Sequence, residues 1–218
     1  MMSMTSSLVD WRSSGAHPHR CSVLCVSPGW LNRDRTSPAP AAGVLSYRGH
    51  VKRLFLLRHA KSAWDDPALR DRDRPLAPRG RKAAKRVARW AKKHAVSPQL
   101  VVCSSAVRAQ QTLQRVLPSL GEPEVWVEVT LYAAAAETLL ARIRALPDEV
   151  DEVMLVGHNP GLMEVLLLLA APGELRERAS VNVPTGALAK LEADVGRWAD
   201  VAPGEARLTE FVVPRELK

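Results

Sequence analysis

From Val51 onward, apolar and polar positions alternate in blocks of two kinds. Short, nearly continuous apolar runs ("RLFLLRH", "LVVCSS" over Leu100 to Ser105, "EVMLVGH" over Glu152 to His158) suit buried parallel strands. Between them lie longer stretches with apolar residues at helical spacing. In "RGRKAAKRVARWAKKHA" (Arg79 to Ala95), Ala84, Val87, Ala88 and Ala91 share one face and Arg and Lys fill the other. "AVRAQQTLQRVLPSL" predicts a second helix, closed by Pro118 and Gly121. "EVWVEV" predicts a short strand, and "AETLLARIRALP" and "GLMEVLLLLA" predict two more helices. "GALAKLEA" and "RLTEFVVP" predict two closing strands, added antiparallel or at an edge. Strand–helix alternation of this kind predicts an α/β fold: a three-layer sandwich with a mainly parallel sheet flanked by helices.

Residues 1–50 break the pattern. They mix Ser, Pro and Gly with isolated apolar residues and keep no period. We read them as a disordered extension ahead of a domain spanning 51–218, with Val51 as a natural start of translation. A secretory leader pattern is missing from this stretch. It holds a C-x3-C pair, Cys21 and Cys25, with His17 and His19 upstream, which is a weak zinc motif in such a context.

Composition narrows the classes. No 18-residue apolar stretch occurs, so no membrane-spanning helix is predicted. Three cysteines without even spacing argue against a disulfide framework and fit a reducing compartment, so a cytoplasmic location is expected. Cys103 lies in a strand pattern and reads as a packed small hydrophobe. The net charge of +8 favours anionic partners without choosing among them. The basic face of the first helix reads as a solvated surface, with an acidic protein or nucleic acid as the alternative. No aromatic stacking pattern supports the nucleic acid.

The candidate chemistry sits where strands stop. The first strand runs straight into Arg58 and His59. The second ends in Ser104 and Ser105, with Arg108 in the next turn. A later strand ends in "VGHNPG", which carries His158. Taken singly, a histidine after a strand is a packed residue, a metal ligand, a base or a nucleophile. Ligands of open α/β sheets bind beyond the carboxyl ends of the strands. If these strands are neighbours, two arginines and two histidines converge there. Arginine forks match phosphate geometry and stay charged. A neutral imidazole between them can attack phosphorus, and a second can donate to an equatorial oxygen. Flanking arginines would repel a metal cation, and no nucleotide-binding glycine loop is present.

"LLRHAKSAW", "SSAVRAQQT" and "VGHNPG" together resemble the signature segments of the histidine phosphatase superfamily. That family includes cofactor-dependent phosphoglycerate mutases, acid phosphatases and small phosphohistidine phosphatases. The R-H-A-K-S form, "DRDRPLAPRG" and "PTGALAKLE…FVVPREL" resemble the small phosphohistidine phosphatase branch. The resemblance implies that His59 is the phosphorylated nucleophile and His158 the second catalytic histidine. It implies that Arg58 and Arg108 bind the phosphoryl group, with Lys61 and Ser62 on the same loop as further phosphate contacts. Ser104 and Ser105 are as well explained by helix capping. The family's usual proton-donating carboxylate has no obvious counterpart; Glu137, Asp65, Asp66 and Asp73 are candidates.

The expectation is a phosphatase working through a covalent phosphohistidine intermediate, most readily on protein phosphohistidine, with no metal or organic cofactor. Its partner is a phosphorylated protein or a small phosphorylated substrate, not nucleic acid or a membrane, and the enzyme is taken as a monomer. The alternatives are a phosphatase of small esters or sugar phosphates, and a slow phospho-ligand-binding protein. Trp64 either lines the pocket rim or packs.

Overall fold

Alternation along each central strand sends neighbouring side chains to opposite faces, and both faces are covered. In the computed structural model, which describes residues 51–217, Leu54 and Leu56 point into one hydrophobic cluster, and Phe55 and Leu57 into another. Val153 and Leu155 share the first cluster; Met154 and Val156 share the second. The result is the expected three-layer sandwich. The N-terminal extension and its cysteine pair lie outside the described residues.

The elements in chain order are β1 (Val51–Arg58), α1 (Pro78–Lys93), β2 (Leu100–Ser104), α2 (Val107–Val116), β3 (Glu124–Glu128), α3 (Ala136–Arg144), β4 (Glu152–Gly157), α4 (Gly161–Leu169), α5 (Glu174–Val181), β5 (Leu188–Asp194) and β6 (Arg207–Val212). The sheet order is β3-β2-β4-β1-β5-β6. Parallel pairing joins β1 to β4, β4 to β2 and β2 to β3, while β5 and β6 add antiparallel on the other side of β1. Helices α1 and α2 supply Val87, Ala91, Leu113 and Val116 to one face. Helices α3 and α4 supply Leu139, Ile143, Leu162 and Val165 to the other.

The order places β1 and β4 side by side at the centre, with Arg58 level with Gly157. His59 and His158, each one residue further, therefore leave the sheet at the same level. Two glycines let helices close on this edge. A Cβ on Gly80 would lie 2.1 Å from the Lys61 carbonyl oxygen, so only glycine lets the first turn of α1 sit on the loop after His59. A Cβ on Gly161 would lie 2.0 Å from the Ala134 carbonyl oxygen, so the start of α4 needs the same close approach.

Helix α5 was not predicted. Among its residues only Ala179 is buried, so it has no apolar stripe for a periodicity reading to find. Cys103 is fully buried, as expected, and burial pushes its thiol up to about 12, which keeps it protonated. No helix among the described residues is long and apolar enough to cross a membrane.

Candidate active site

The junction after β1 is pinned by backbone before any side chain acts. The His59 amide donates to the Gly157 carbonyl at 3.0 Å, tying the end of β1 to the end of β4. The Gly186 amide donates to both the Arg58 and His59 carbonyls at 3.1 Å, from a positive φ that favours glycine. The Ala60 amide donates to Thr112 Oγ1 at 3.0 Å, and Thr112 Oγ1 donates to the Arg108 carbonyl at 2.6 Å. One buried threonine on α2 thus fixes the loop after His59 relative to the backbone of Arg108.

His59 is about nine-tenths buried. Its Nδ1 lies 2.8 Å from the carbonyl oxygen of Ala60. A carbonyl only accepts, so Nδ1 carries the proton. Nε2 is then the ring nitrogen with the free lone pair, and it makes no hydrogen bond among the described residues. The His59 and His158 ring centroids are 4.9 Å apart. His158 Nε2 lies 2.8 Å from Ser104 Oγ, and its Nδ1 is buried without a partner. Ser104 Oγ also accepts the Ala106 amide at 3.3 Å. Ser104 therefore orients the second histidine and does not cap α2, whose N-cap is Ala106 with no side-chain cap.

Burial is the largest influence on both rings. It lowers His59 to about 4, helped by the charges of Arg108 and Arg58 and opposed by the Ala60 hydrogen bond and Asp71. It lowers His158 to about 3, helped by His59, Arg108 and Arg58. Both imidazoles are neutral at neutral pH.

Arg58 donates through Nη1 to the Val183 carbonyl at 2.6 Å, while its Nε is buried without a partner. Arg108 comes in from the first turn of α2 and donates to the Asp71 carboxylate at 2.8 Å and to the Asp71 carbonyl. The structure thus brings together the four residues singled out from the sequence. Lys61 and Ser62 follow on the loop, but their side chains make no hydrogen bond among the described residues. The Lys61 carbonyl accepts the Ala77 amide, and Ser62 forms an isolated β-bridge with Leu76.

Sequence reasoning missed Asp71. It lies in a short 3-10 turn, Asp71–Asp73, and Tyr132 Oη donates to its Oδ2 at 2.8 Å. Burial alone would raise its pKa, but the Tyr132 and Arg108 hydrogen bonds and the charges of Arg108 and Arg74 hold it below the ordinary carboxylate range. The acid candidates lie elsewhere: Asp73 pairs with Arg70, Asp66 accepts the Ala68 amide, and Asp65 and Glu137 are exposed. The Tyr132 ring meets His158 edge-on, with centroids 5.6 Å apart. Arg74 was missed as well. Its Nε and Nη1 are buried without hydrogen-bond partners, its Nε is 3.9 Å from Asp71, and its guanidinium lies 3.7 Å from the centroid of the Trp64 ring. Trp64 stays 61% exposed, so it covers Arg74 from the solvent side rather than entering the core.

Comparison with known proteins agrees with this picture. Residues 54–137 match the sequence model of the histidine phosphatase superfamily (branch 1). An uncharacterized protein of Mycobacterium tuberculosis is 39% identical over 163 residues, covering 73% of this chain and all of the relative. The phosphohistidine phosphatase SixA of Escherichia coli is 34% identical over 125 residues, covering 56% of this chain and 75% of SixA. A solved structure of the protein histidine phosphatase SixA complexed with tungstate superposes with a TM-score of 0.63 at 28% identity, covering 76% of this chain and 99% of the other. Fold and relatives define a phosphatase, a hydrolase with an α/β fold. The chain belongs to the histidine phosphatase superfamily, on its SixA-like side.

Proposed function

We propose that this phosphatase acts on protein phosphohistidine through a phospho-His59 intermediate. The observation that carries the reading is the His59 ring: its Nδ1 proton is held by Ala60, and its Nε2 is left free beside His158, within an arginine frame. Nε2 attacks phosphorus, and the bond from phosphorus to the substrate nitrogen breaks. The leaving imidazole takes a proton from solvent. Water then attacks the phosphoryl group, the bond to Nε2 breaks, and inorganic phosphate departs.

Arg58 and Arg108 hold the phosphoryl oxygens, and the otherwise unpartnered His158 Nδ1–H donates to one of them. Ser104 selects that tautomer by donating to Nε2. Arg74 adds a third guanidinium beside the clamp, and Lys61 adds charge at its rim; Ser62 serves the fold of the loop. Tungstate in the SixA structure is an oxyanion of phosphate-like charge, which supports an anion site in this family. Asp71 is held ionised, so it accepts hydrogen bonds and does not supply a proton. That favours a leaving group that needs little acid assistance, such as an imidazole, over an alkoxide.

A panel of substrates tests the reading. Phosphoramidate and a histidine-phosphorylated protein are expected to be turned over at least ~10-fold more efficiently than alkyl phosphate esters, given the weight of acid assistance. The reverse order would assign the site to small phosphate esters. Binding without turnover of any of them would make the chain a phospho-ligand-binding protein.

The lowered histidines give a separate expectation. Titrated by NMR, the His59 and His158 rings are expected to stay neutral down to about pH 5; a midpoint for His59 at or above 6.5 would contradict the assignment. The unfolded chain binds protons on these rings below 6.5, while the folded chain does so only near 4 and 3. Their linked stability is therefore complete above pH 6.5 and is lost as the pH falls from 6.5 through about 4 for His59 and about 3 for His158.

A further inference from the structure

Helix α1 has a face that the chemistry above does not use. Its sequence, "PRGRKAAKRVARWAKK", carries eight cations and no carboxylate. Arg79, Arg81, Lys82, Lys85, Arg86, Arg89, Lys92 and Lys93 are all exposed, opposite the buried stripe of Ala84, Val87, Ala88 and Ala91. None of the eight forms an ion pair among the described residues. Among their side chains only that of Arg81 makes a hydrogen bond within the described residues, to the Leu76 carbonyl. Several surface cations elsewhere are matched, as in Arg53–Glu152, Arg142–Glu128 and Arg178–Glu216, and those without a carboxylate, such as Arg72 and Arg144, stand singly rather than in a strip.

This arrangement works against the helix. Like charges three and four residues apart repel, as Lys82, Lys85, Arg86 and Arg89 do. Arg79, Arg81 and Lys82 sit in the first turns, where the helix dipole already places positive charge. Nothing in the fold of α1 calls for such a face.

Its position relates it to the site. The Ala77 amide donates to the Lys61 carbonyl, and Gly80 packs on the same carbonyl. The first turn of α1 therefore rests on the loop two residues beyond His59. From there the helix runs 16 residues, about 24 Å at the usual rise. A strip of unmatched positive charge thus starts at the rim of the site and leads away from it. It is far longer than any small phosphorylated molecule.

We infer that the exposed face of α1 is the docking surface for an acidic face of the phosphorylated protein substrate. The inference rests on the phosphohistidine reading above and deepens it. A protein whose phosphorylated side chain enters the site must lay neighbouring surface over the rim, and acidic residues there would meet the strip. The face offers no exposed aromatic platform for bases, since Trp90 is half-buried and stacked on His94. It offers no exposed apolar residue to enter a lipid surface.

The test uses the full chain with Lys85→Glu, Arg89→Glu and Lys93→Glu combined, all away from the clamp. Two substrates are compared: phosphoramidate, and a histidine-phosphotransfer domain of acidic surface phosphorylated with it. Reversal is expected to lower kcat/KM on the protein about ten-fold or more, through KM, and to flatten its dependence on salt. Kinetics on phosphoramidate stay unchanged. A glutamine triple variant, which leaves less like-charge repulsion in α1, should give an intermediate loss. Protein turnover within two-fold of wild type in both variants overturns the inference, as does an equal loss on both substrates. Loss of binding to duplex DNA with undiminished protein turnover would assign the strip to nucleic acid and overturn it too. If wild type turns over neither substrate, the phosphohistidine reading has failed. The docking surface is then tested by binding of the unphosphorylated acidic domain, which the reversal must weaken.

Discussion

Replacing His59 by alanine is expected to lower turnover of phosphoramidate by about a thousand-fold or more, the scale seen when a covalent nucleophile is removed. None of the other three groups of the clamp can take its place. The His158 ring is held by Ser104 through Nε2, and its Nδ1 carries the proton in the proposed tautomer. Arg58 and Arg108 have no lone pair to offer. The wild-type enzyme, quenched in alkali during turnover, should carry phosphate on one histidine, and the alanine variant should carry none. His59→Asn keeps a polar side chain in the buried position and should be as inactive, which separates lost chemistry from lost packing. Turnover by either variant at the wild-type rate would remove His59 as the nucleophile.

The groups that meet at the sheet edge were legible because they are tied to strand ends. A central strand must be apolar on both faces, so the break from Leu57 to Arg58 in β1, and from Val156 to Gly157 and His158 in β4, marks where the sheet stops. Parallel packing then makes those stops coincide. Asp71 was not legible in the same way. It lies among five charged residues in "DRDRPLAPR", and no period tells which of Asp65, Asp66, Asp71 and Asp73 meets Arg108. The choice is made by the short turn at Asp71–Asp73 and by Tyr132, 61 residues away. Arg74 was hidden for the same reason, since its cover is Trp64 from the far side of the same loop. The role of Ser104 depends on a side-chain geometry between β2 and β4 that strand order alone does not give. From sequence alone, helix capping explains Ser104 equally well.

Arg108→Ala is expected to cost about 10²- to 10³-fold in kcat/KM on phosphoramidate, the usual price of losing a fixed donor to a transferring group. Arg108 joins two tasks. Part of its fork holds the Asp71 carboxylate and carbonyl, and in the proposed mechanism its remaining N–H groups hold the phosphoryl group. Arg108→Lys separates these tasks. An ammonium is a point charge and cannot span Asp71 and a phosphate oxygen with fixed geometry, so it should restore charge without orientation. The lysine variant should therefore recover much of the affinity for phosphate while kcat stays well below wild type. Inhibition by free phosphate gives the affinity, and single-turnover rates give the chemical step. Asp71→Asn offers the matching control, because it keeps Arg108 but weakens what orients it: phosphate should still bind, and the chemical step should slow. If Arg108→Lys restored both quantities fully, the fork would act only through its charge, and the pairing with Asp71 would have no part in turnover.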